Sequence, residues 1–485
     1  MTTQLSPEQQ RAVEALLRKS PFAAVARDLG KRFAAAGHQL YLVGGTVRDA
    51  LLERPSPDVD LTTDATPDEI LAVVRAGHWH DGVWLQGVRF GTVGVRKGDL
   101  RLEITTFRSD VYREDSRKPE VTFGRTIEED LSRRDFTVNA MAVRLPEGQF
   151  VDPFGGLADL AAKRLRTPGD PAVSFEDDPL RMLRAARFVA QLELQPTPET
   201  VAAIRERVAR LDIVSRERIR DELSKLLLGR VPGKGLWLTV NSGLAARFLP
   251  ELPALALEQD PVHRHKDVLA HTIAVVERAT AFDQDKPDLT LRMAALLHDI
   301  GKPRTRRVGP DGVSFHLHEV VGAKMAERRL TELRYPKDFI MDVKRLVELH
   351  LRFHTYRLGW TDSAVRRYVR DAGPLLDRLN FLVRSDCTTR NPFRARQLAA
   401  AADELEERIA RLAAEEELAK IKPPLDGRQV MELLGIPPGP LVGKALAHLL
   451  ELRLERGPMP EEEAVAALHA WARDQGLEVP GGAGA

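Results

Sequence analysis

YLVGGTVRDALLERPSPDVDL, residues 41–61, places two adjacent glycines, an Arg-Asp pair and an Asp-x-Asp within one short stretch. On a β-strand, alternate side chains share a face about 6.6 Å apart along the chain. Asp58 and Asp60 therefore project together while Val59 and Leu61 turn toward a core. Two carboxylates on one face suit Mg²⁺, which favours a few carboxylates plus phosphate oxygens, and paired ions stabilise both the attacking and the leaving oxygen in phosphoryl chemistry. Gly44 and Gly45 carry no Cβ, so backbone N–H groups can approach a triphosphate. The following TVRDALLE reads as a helix whose N-terminus favours anions. Either half alone fits a tight turn followed by a solvated acidic loop; together they point to phosphate held beside metal.

The chain is 485 residues long, beyond the size of a single core, so several domains and more than one site are expected. Apolar residues at 43% and charged residues at 29% exclude a disordered or membrane-embedded class. No apolar run is long enough to span a bilayer and MTTQLSPEQQ lacks signal-peptide character, so the expected location is the cytoplasm. A single cysteine, Cys387, rules out an internal disulfide and a multi-thiolate zinc site, leaving carboxylates and histidines as metal ligands. The formal net charge of +1 does not argue against a nucleic-acid partner, because phosphate binding depends on where charge sits.

Before about residue 155, β-branched and aromatic runs (QLYLVGG, GTVGVRK, LRLEITTF) alternate with turn residues; after it, Leu, Ala and Arg recur at helical spacing. The expected class is α+β, a small N-terminal sheet domain followed by a long helical body. The expected divisions are a head over 1–160, a helical neck over 161–230, a further helical domain over 231–395, a helical tail over 396–475 and a disordered end over 476–485.

RLEITTFR puts Glu103 on a strand face with Thr105, where it can approach the Asp pair; a solvated edge glutamate is the competing reading. SRRDFTVNA offers Arg133 and Arg134 to clamp a triphosphate and Asp135 and Asn139 to accept from ribose hydroxyls; a surface salt-bridge cluster fits the same residues. In VDPFGGLADL, Asp152, Gly156 and Asp159 suit a structural hinge no less than a catalytic part. FEDDPLRMLRAARF starts a helix at Pro179, so Asp178 and Arg181 can point the same way, with Arg184 a turn beyond. A carboxylate accepts and a guanidinium donates, which matches the amino group and ring nitrogen of cytosine and adenine and mismatches guanine and uracil. An N-cap with a local ion pair is the bland alternative.

GGTVRD, DVDL, EITTFR, RRDFTVNA, DPFGGLADL, DDPLRMLRAARF and RIRDEL stand in the order and approximate spacing of the class II tRNA nucleotidyltransferases, the CCA-adding enzymes and their bacterial poly(A) polymerase relatives. The chain resembles that family most strongly over residues 38 to 230. LDGRQVMELLGIPPGPLVGKALAHLLELRLERG resembles a helical tail shared by many members. The resemblance implies a mixed-sheet nucleotidyltransferase head. It implies Asp58 and Asp60 as Mg²⁺ ligands, with Glu103 a third catalytic carboxylate. It further implies Gly44, Gly45, Arg48, Arg134, Asp135, Asn139, Arg184 and Arg187 as nucleotide contacts, and Asp178 with Arg181 as the base-reading pair. Where the family often has Glu before that Asp, this chain has Asp177. The implied partners are CTP, ATP and the acceptor and T arms of tRNA, with a second copy of the chain a further candidate. TFRSDVYREDSRKPEVTFGRT keeps a long loop before RRD, similar to complete CCA-adding and A-adding enzymes, and GVRFGTVGV is more similar to the CCA-adding form than to poly(A) polymerase.

A second constellation lies downstream. His271 falls on the apolar face of a helix, where a core histidine is the ordinary reading, and HDIGKP places His298 and Asp299 at a helix end. With Asp386 they resemble the HD superfamily of metal-dependent phosphohydrolases, and His318 and His350 are candidates for a second ion. Histidine with carboxylate suits Mn²⁺, Ni²⁺, Fe²⁺ or Co²⁺. The expected function is template-independent addition of C and A to the tRNA 3′ end, with either HD phosphohydrolase activity or a scaffold-only HD domain beside it. The alternatives are an A-adding enzyme working after a CC-adding partner, a poly(A) polymerase, an HD hydrolase with a spent head and a noncatalytic RNA-binding protein.

Overall fold

The computed structural model describes residues 14–477 apart from 16–17, 55–56, 86–90, 112–119, 125, 258–266, 284, 311, 389–390 and 417–421. The expectations for a long loop before RRD, for a disordered C-terminus and for charge in TTRNPFRARQ therefore fall partly or wholly outside the described residues. The chain divides into two compact units, residues 1–253 and 254–485.

The first unit is built on a seven-stranded mixed sheet with strand order β3-β4-β5-β2-β1-β8-β9. The strands are β1 (Leu40–Val43), β2 (Asp58–Thr63), β3 (Gly82–Trp84), β4 (Thr92–Lys97), β5 (Leu100–Thr106), β8 (Ala142–Leu145) and β9 (Gln149–Val151). A separate antiparallel pair, β6 (Arg108–Val111) and β7 (Glu120–Phe123), stands off the sheet. β2 and β5 run parallel and the other neighbours antiparallel. The alternation predicted from DVDL is present: Val59 and Leu61 are buried while Asp58 and Asp60 face outward. One face of the sheet is sealed by helices Ala23–Ala35 and Pro67–Arg75 over a core including Phe33, Leu42, Ile70, Val93 and Ile104. Thr66 closes the second of these helices with a capping box to Glu69, so its orphan N–H groups are satisfied at the point of entry.

Beyond the sheet, helix Leu180–Leu192 packs between Arg216–Leu227 and Pro232–Asn241. Small residues permit this approach: a Cβ on Gly229 or Gly235 would lie within 2.8 Å of the Ala190 and Ala186 backbone. Gly156 plays the same part within the head, where its helix lies against Thr137 and Met141, and Asp152 caps the helix that Gly156 opens, accepting its N–H at 2.7 Å and that of Leu157 at 3.0 Å. The hinge reading of that motif accounts for these contacts without a catalytic role.

The second unit is helical apart from one short hairpin, Arg307–Gly309 with Gly312–Ser314. Helices Val268–Ala279, Leu289–Leu297, His318–Glu332, Lys337–Leu349 and Leu376–Asp386 pack together, and Gly427–Leu434, Pro440–Arg456 and Glu461–Asp474 close over Val430, Leu449 and Leu468. Among the described residues no helix is long and apolar enough to cross a membrane.

Gly156→Ala should lower the unfolding midpoint of the first unit, because its Cβ would meet the Thr137 carbonyl oxygen at 2.1 Å. We expect a loss of about 1–3 kcal/mol, read from urea titration with the slope unchanged. An unaltered midpoint would show that the junction yields freely.

Candidate active site and metal centre

The sheet order places the predicted carboxylates between two different surroundings. In the parallel β2–β5 register, Asp60 lies opposite Glu103 and Asp58 opposite Arg101. Residues aligned in this way point to the same face, so Asp58, Asp60 and Glu103 form one acidic patch. The Asp60 N–H donates to the Thr46 hydroxyl at 2.8 Å, which ties the acidic strand to the first turn after the glycines. Enclosure by the cleft raises the Asp60 carboxyl; Arg134 works against this and Asp58 adds to it. Glu103 is raised by its surroundings and then by Asp60 and Asp58. Asp60 and Glu103, both raised, stand with Asp58 on one face as a donor set that a divalent cation relieves, so these residues fit Mg²⁺.

Gly44 and Gly45 flank Asp60 from the β1 side. Gly44 adopts φ 65°, and a Cβ there would lie 2.7 Å from an Arg134 nitrogen. The backbone angle disfavours any side chain, and a Cβ would also displace the Arg134 guanidinium. At Gly45 a Cβ would make only ordinary contact with Arg48. A cavity lined by Gly44, Gly45, Asp60, Arg134, Asp135, Asn139, Asp178, Arg181 and Arg184 gathers most of the predicted nucleotide contacts around one space.

Within that cavity the residues divide. Asp178 accepts from the Leu180 N–H at 3.2 Å and pairs with Arg218 at 3.1 Å, while Arg181 donates to the Ser174 hydroxyl at 2.8 Å and to the Arg133 carbonyl. Asp135 is engaged otherwise. It is 7% exposed, accepts from Arg184 at 2.8 Å and from the Asn139 amide at 2.8 Å, and Asn139 in turn accepts from Arg48. Burial works against the Asp135 charge, but Arg184 and Asn139 hold its carboxyl far below the usual range. Arg184 also faces Glu222 at 3.8 Å. Arg187 lies away from the cavity, paired with Glu222 at 3.3 Å and set over the Phe188 ring, and burial lowers it to about 10. The chain Arg48–Asn139–Asp135–Arg184–Glu222–Arg187 thus links the helix after Gly44 to two helices of the neck.

Sequence reasoning misses Thr46, Asp130 and Arg218. Asp130 is buried and holds Arg134 at 3.0 Å, one helical turn away. That i,i+4 spacing is the signal that could have found it. Arg218 lies forty residues from Asp178 and leaves no local trace.

In the second unit, His271, His298 and Asp386 bring one ligand atom each within 4.8 Å of one another, and so do Asp299, His318 and His350. Asp299 stands between the sets. One of its oxygens lies 3.2 Å from His298 Nε2, and the other 3.3 Å from His318 Nε2 and 3.9 Å from His350 Nε2. In His298, His318 and His350 the Nδ1 faces a backbone carbonyl three residues earlier, at 2.8, 2.8 and 2.6 Å, and His271 Nδ1 meets the Thr388 hydroxyl at 2.7 Å. With Nδ1 donating outward, each Nε2 keeps its lone pair for a ligand held inside. Among the described residues, the buried Nε2 atoms of His318 and His350 have no partner in hydrogen-bond geometry. Burial lowers His350 to about 3 and also lowers His271, so these rings are held neutral, the form that ligates metal. The donor set fits divalent transition ions, which His271, His298 and Asp386 on one side and Asp299, His318 and His350 on the other would hold.

The comparisons agree with this division. Residues 40–166 match the poly A polymerase head domain, residues 193–255 a probable RNA and SrmB-binding site of polymerase A, and residues 268–415 the HD domain. Head, neck and histidine cluster together define a nucleotidyltransferase that carries an HD domain. The chain is 36% identical over 442 residues to the A-adding tRNA nucleotidyltransferase of Deinococcus radiodurans, covering 89% of this chain and 95% of that one. It is 44% identical over 217 residues to the CCA-adding enzyme of Anoxybacillus flavithermus, 44% of this chain and 53% of the relative. The Bacillus stearothermophilus CCA-adding enzyme in complex with CTP superposes with a TM-score of 0.68 at 25% identity, over 94% of this chain and 99% of that one. The chain belongs to the tRNA nucleotidyltransferase family of CCA-adding and A-adding enzymes.

Two outcomes follow from the geometry. Asp135→Asn should remove about 3 kcal/mol at neutral pH by taking from Arg184 the nearer of its two carboxylates. The folded-state pKa of Asp135 is depressed, so its contribution is full above the unfolded value of about 3.9 and is lost as pH falls below it. The difference in melting temperature between wild type and D135N should therefore shrink from pH 6 to pH 3; a constant difference would place the stabilisation elsewhere. Mn²⁺, Ni²⁺ or Co²⁺ should raise the melting temperature of the metal-stripped protein, and His318→Ala or Asp299→Ala should abolish much of that rise. Equal stabilisation of both variants and the parent would exclude these ligands.

Proposed function

We propose that this chain extends the 3′ end of tRNA with C and A, taking CTP and ATP without a nucleic-acid template, in the cytoplasm. The observation that carries the reading is the register that aligns Asp60 with Glu103 beside the Gly44–Gly45 turn, with Arg134, Asp178 and Arg181 around the same cavity. Asp58 and Asp60, with Glu103 beside them, would hold Mg²⁺, which when bound lowers the proton affinity of the attacking hydroxyl and neutralises charge on the phosphates. The Gly44 and Gly45 backbone and Arg134 grip the triphosphate, and Asp130 keeps Arg134 in place. Asp178 accepts from the exocyclic amine and Arg181 donates to the ring nitrogen, so cytosine and adenine are matched and uracil and guanine leave buried groups unpaired. A new bond forms between the acceptor 3′ oxygen and the α-phosphorus, the bond to the bridging oxygen breaks, and pyrophosphate leaves with the hydroxyl proton passing to solvent. The helical body grips the acceptor and T arms through shape and backbone contacts, as duplex RNA requires.

Two specific observations favour companion readings. The Deinococcus radiodurans relative, matched over 95% of its length, is an A-adding tRNA nucleotidyltransferase, which supports an A-adding enzyme acting on tRNA already ending in CC. The converging Nε2 atoms support hydrolysis of a phosphoester in the HD domain, with His271, His298, Asp299, His318, His350 and Asp386 as the ligand set.

tRNAs ending before, within and after CC, each supplied with one labelled nucleotide and Mg²⁺, separate these. Incorporation of C then A that stops at CCA supports the main reading, whereas A alone onto tRNA-CC supports the A-adding form. Asp58→Ala with Asp60→Ala should bring incorporation below detection, and Asp178→Ala with Arg181→Ala should erode discrimination against UTP by about a hundredfold or more. Incorporation that survives the first pair would remove the metal assignment.

A further inference from the structure

The face that carries Asp60 continues across three more strands in one straight row. Asp60 on β2 lies opposite Glu103 on β5, Glu103 opposite Gly94 on β4, and Gly94 opposite Trp84 on β3. Gly94 has no side chain to fill its place, and the Trp84 ring occupies it: a Cβ on Gly94 would lie 1.9 Å from the indole. The ring thus lies over β4 on the side of Glu103, and Asp58, Asp60, Trp84, Arg101 and Glu103 line one cavity of about 630 Å³, against about 250 Å³ for the cavity at Gly44.

The neighbouring row is cationic. Arg96 lies directly opposite Arg101, and both are exposed on the same face. Like charges across a strand pair repel, and neither guanidinium has a carboxylate within ion-pair distance among the described residues. Such a pair awaits an anion, and an aromatic ring beside two guanidiniums and a carboxylate cluster is the combination that takes a single-stranded nucleic-acid end.

Topology fixes which end. β1, which leads into Gly44, borders β2 on one side, while β5, β4 and β3 extend from the other. The triphosphate cradle and the Trp84 cavity therefore approach Asp60 from opposite flanks. Displacement at phosphorus needs the nucleophile and the leaving pyrophosphate in line on opposite sides. Resting on the transferase reading above, we propose that the Trp84 cavity is the acceptor subsite. The base of the RNA's 3′-terminal nucleotide stacks on Trp84, Arg96 and Arg101 take its backbone phosphates, and its 3′ hydroxyl reaches toward Asp60 and Glu103.

The test uses the full chain and tRNA lacking CCA. A 5-iodopyrimidine at the 3′-terminal position, irradiated in the complex and mapped by mass spectrometry, should crosslink to Trp84. A crosslink confined to the helix bearing Asp178 and Arg181 overturns the proposal. Arg96→Gln with Arg101→Gln, both on the surface, should raise the acceptor KM about tenfold with the CTP KM unchanged, and should make the log–log salt dependence of acceptor binding shallower by roughly 1.4, two contacts at about 0.7 each. Trp84→Ala should raise the acceptor KM about tenfold, within the range of a base–aromatic stack, and Trp84→Phe should restore most of it. An unchanged acceptor KM and salt slope, or an equal rise in both KM values, overturns the subsite. If the wild-type protein incorporates nothing, the transferase reading fails, while the crosslink still decides the subsite.

Discussion

The parallel pairing of β2 with β5 is the constraint on which the first unit depends. It sets Asp60 against Glu103 and Asp58 against Arg101, so three carboxylates share a face that a one-residue slip would turn into the core. That register is protected from below by Val59, Leu61, Leu102 and Ile104, all fully buried, and from the side by the Thr46 hydroxyl on the Asp60 amide. Hydrophobic alternation thus gathers carboxylates on the opposite face, a donor set that fits a divalent cation.

The two units solve the problem of buried charge differently. In the head, Asp135 is satisfied internally by Arg184 and Asn139, and its carboxylate has become part of the framework. In the histidine cluster the framework is built from the outer nitrogens, and the inner ones point at a shared space. A completed network resists change; an incomplete one invites a ligand. The distinction separates residues that hold a site from those that serve it, even where all are charged and buried.

Much of the head was legible in the sequence because its signals are local. The alternation in DVDL, the paired glycines and the Asp-Asp-Pro helix start each act within a few residues, and the order of motifs supplied the family. The partners of those residues were not legible. Arg184 and Arg187 carry the same residue type and spacing as Arg181, yet Arg184 meets Asp135 forty-nine positions away and Arg187 meets Glu222 thirty-five away. Only the packing of helix Leu180–Leu192 on its neighbours decides which arginine lines the cavity without an acidic partner. Trp84 was silent for a related reason: its placement depends on Gly94 lying across the register, a pairing that strand propensity alone leaves open.

The cavity beside Gly44 is lined by side chains whose attachments differ in stiffness. The links from Arg48 through Asn139, Asp135 and Arg184 are mutually satisfied around the buried Asp135, and a shift in any one would strand another. Asp178 is held instead by the half-exposed guanidinium of Arg218, an attachment that water weakens. Compliance at this cavity is therefore concentrated at the Asp178 carboxylate, mounted on a stiff support.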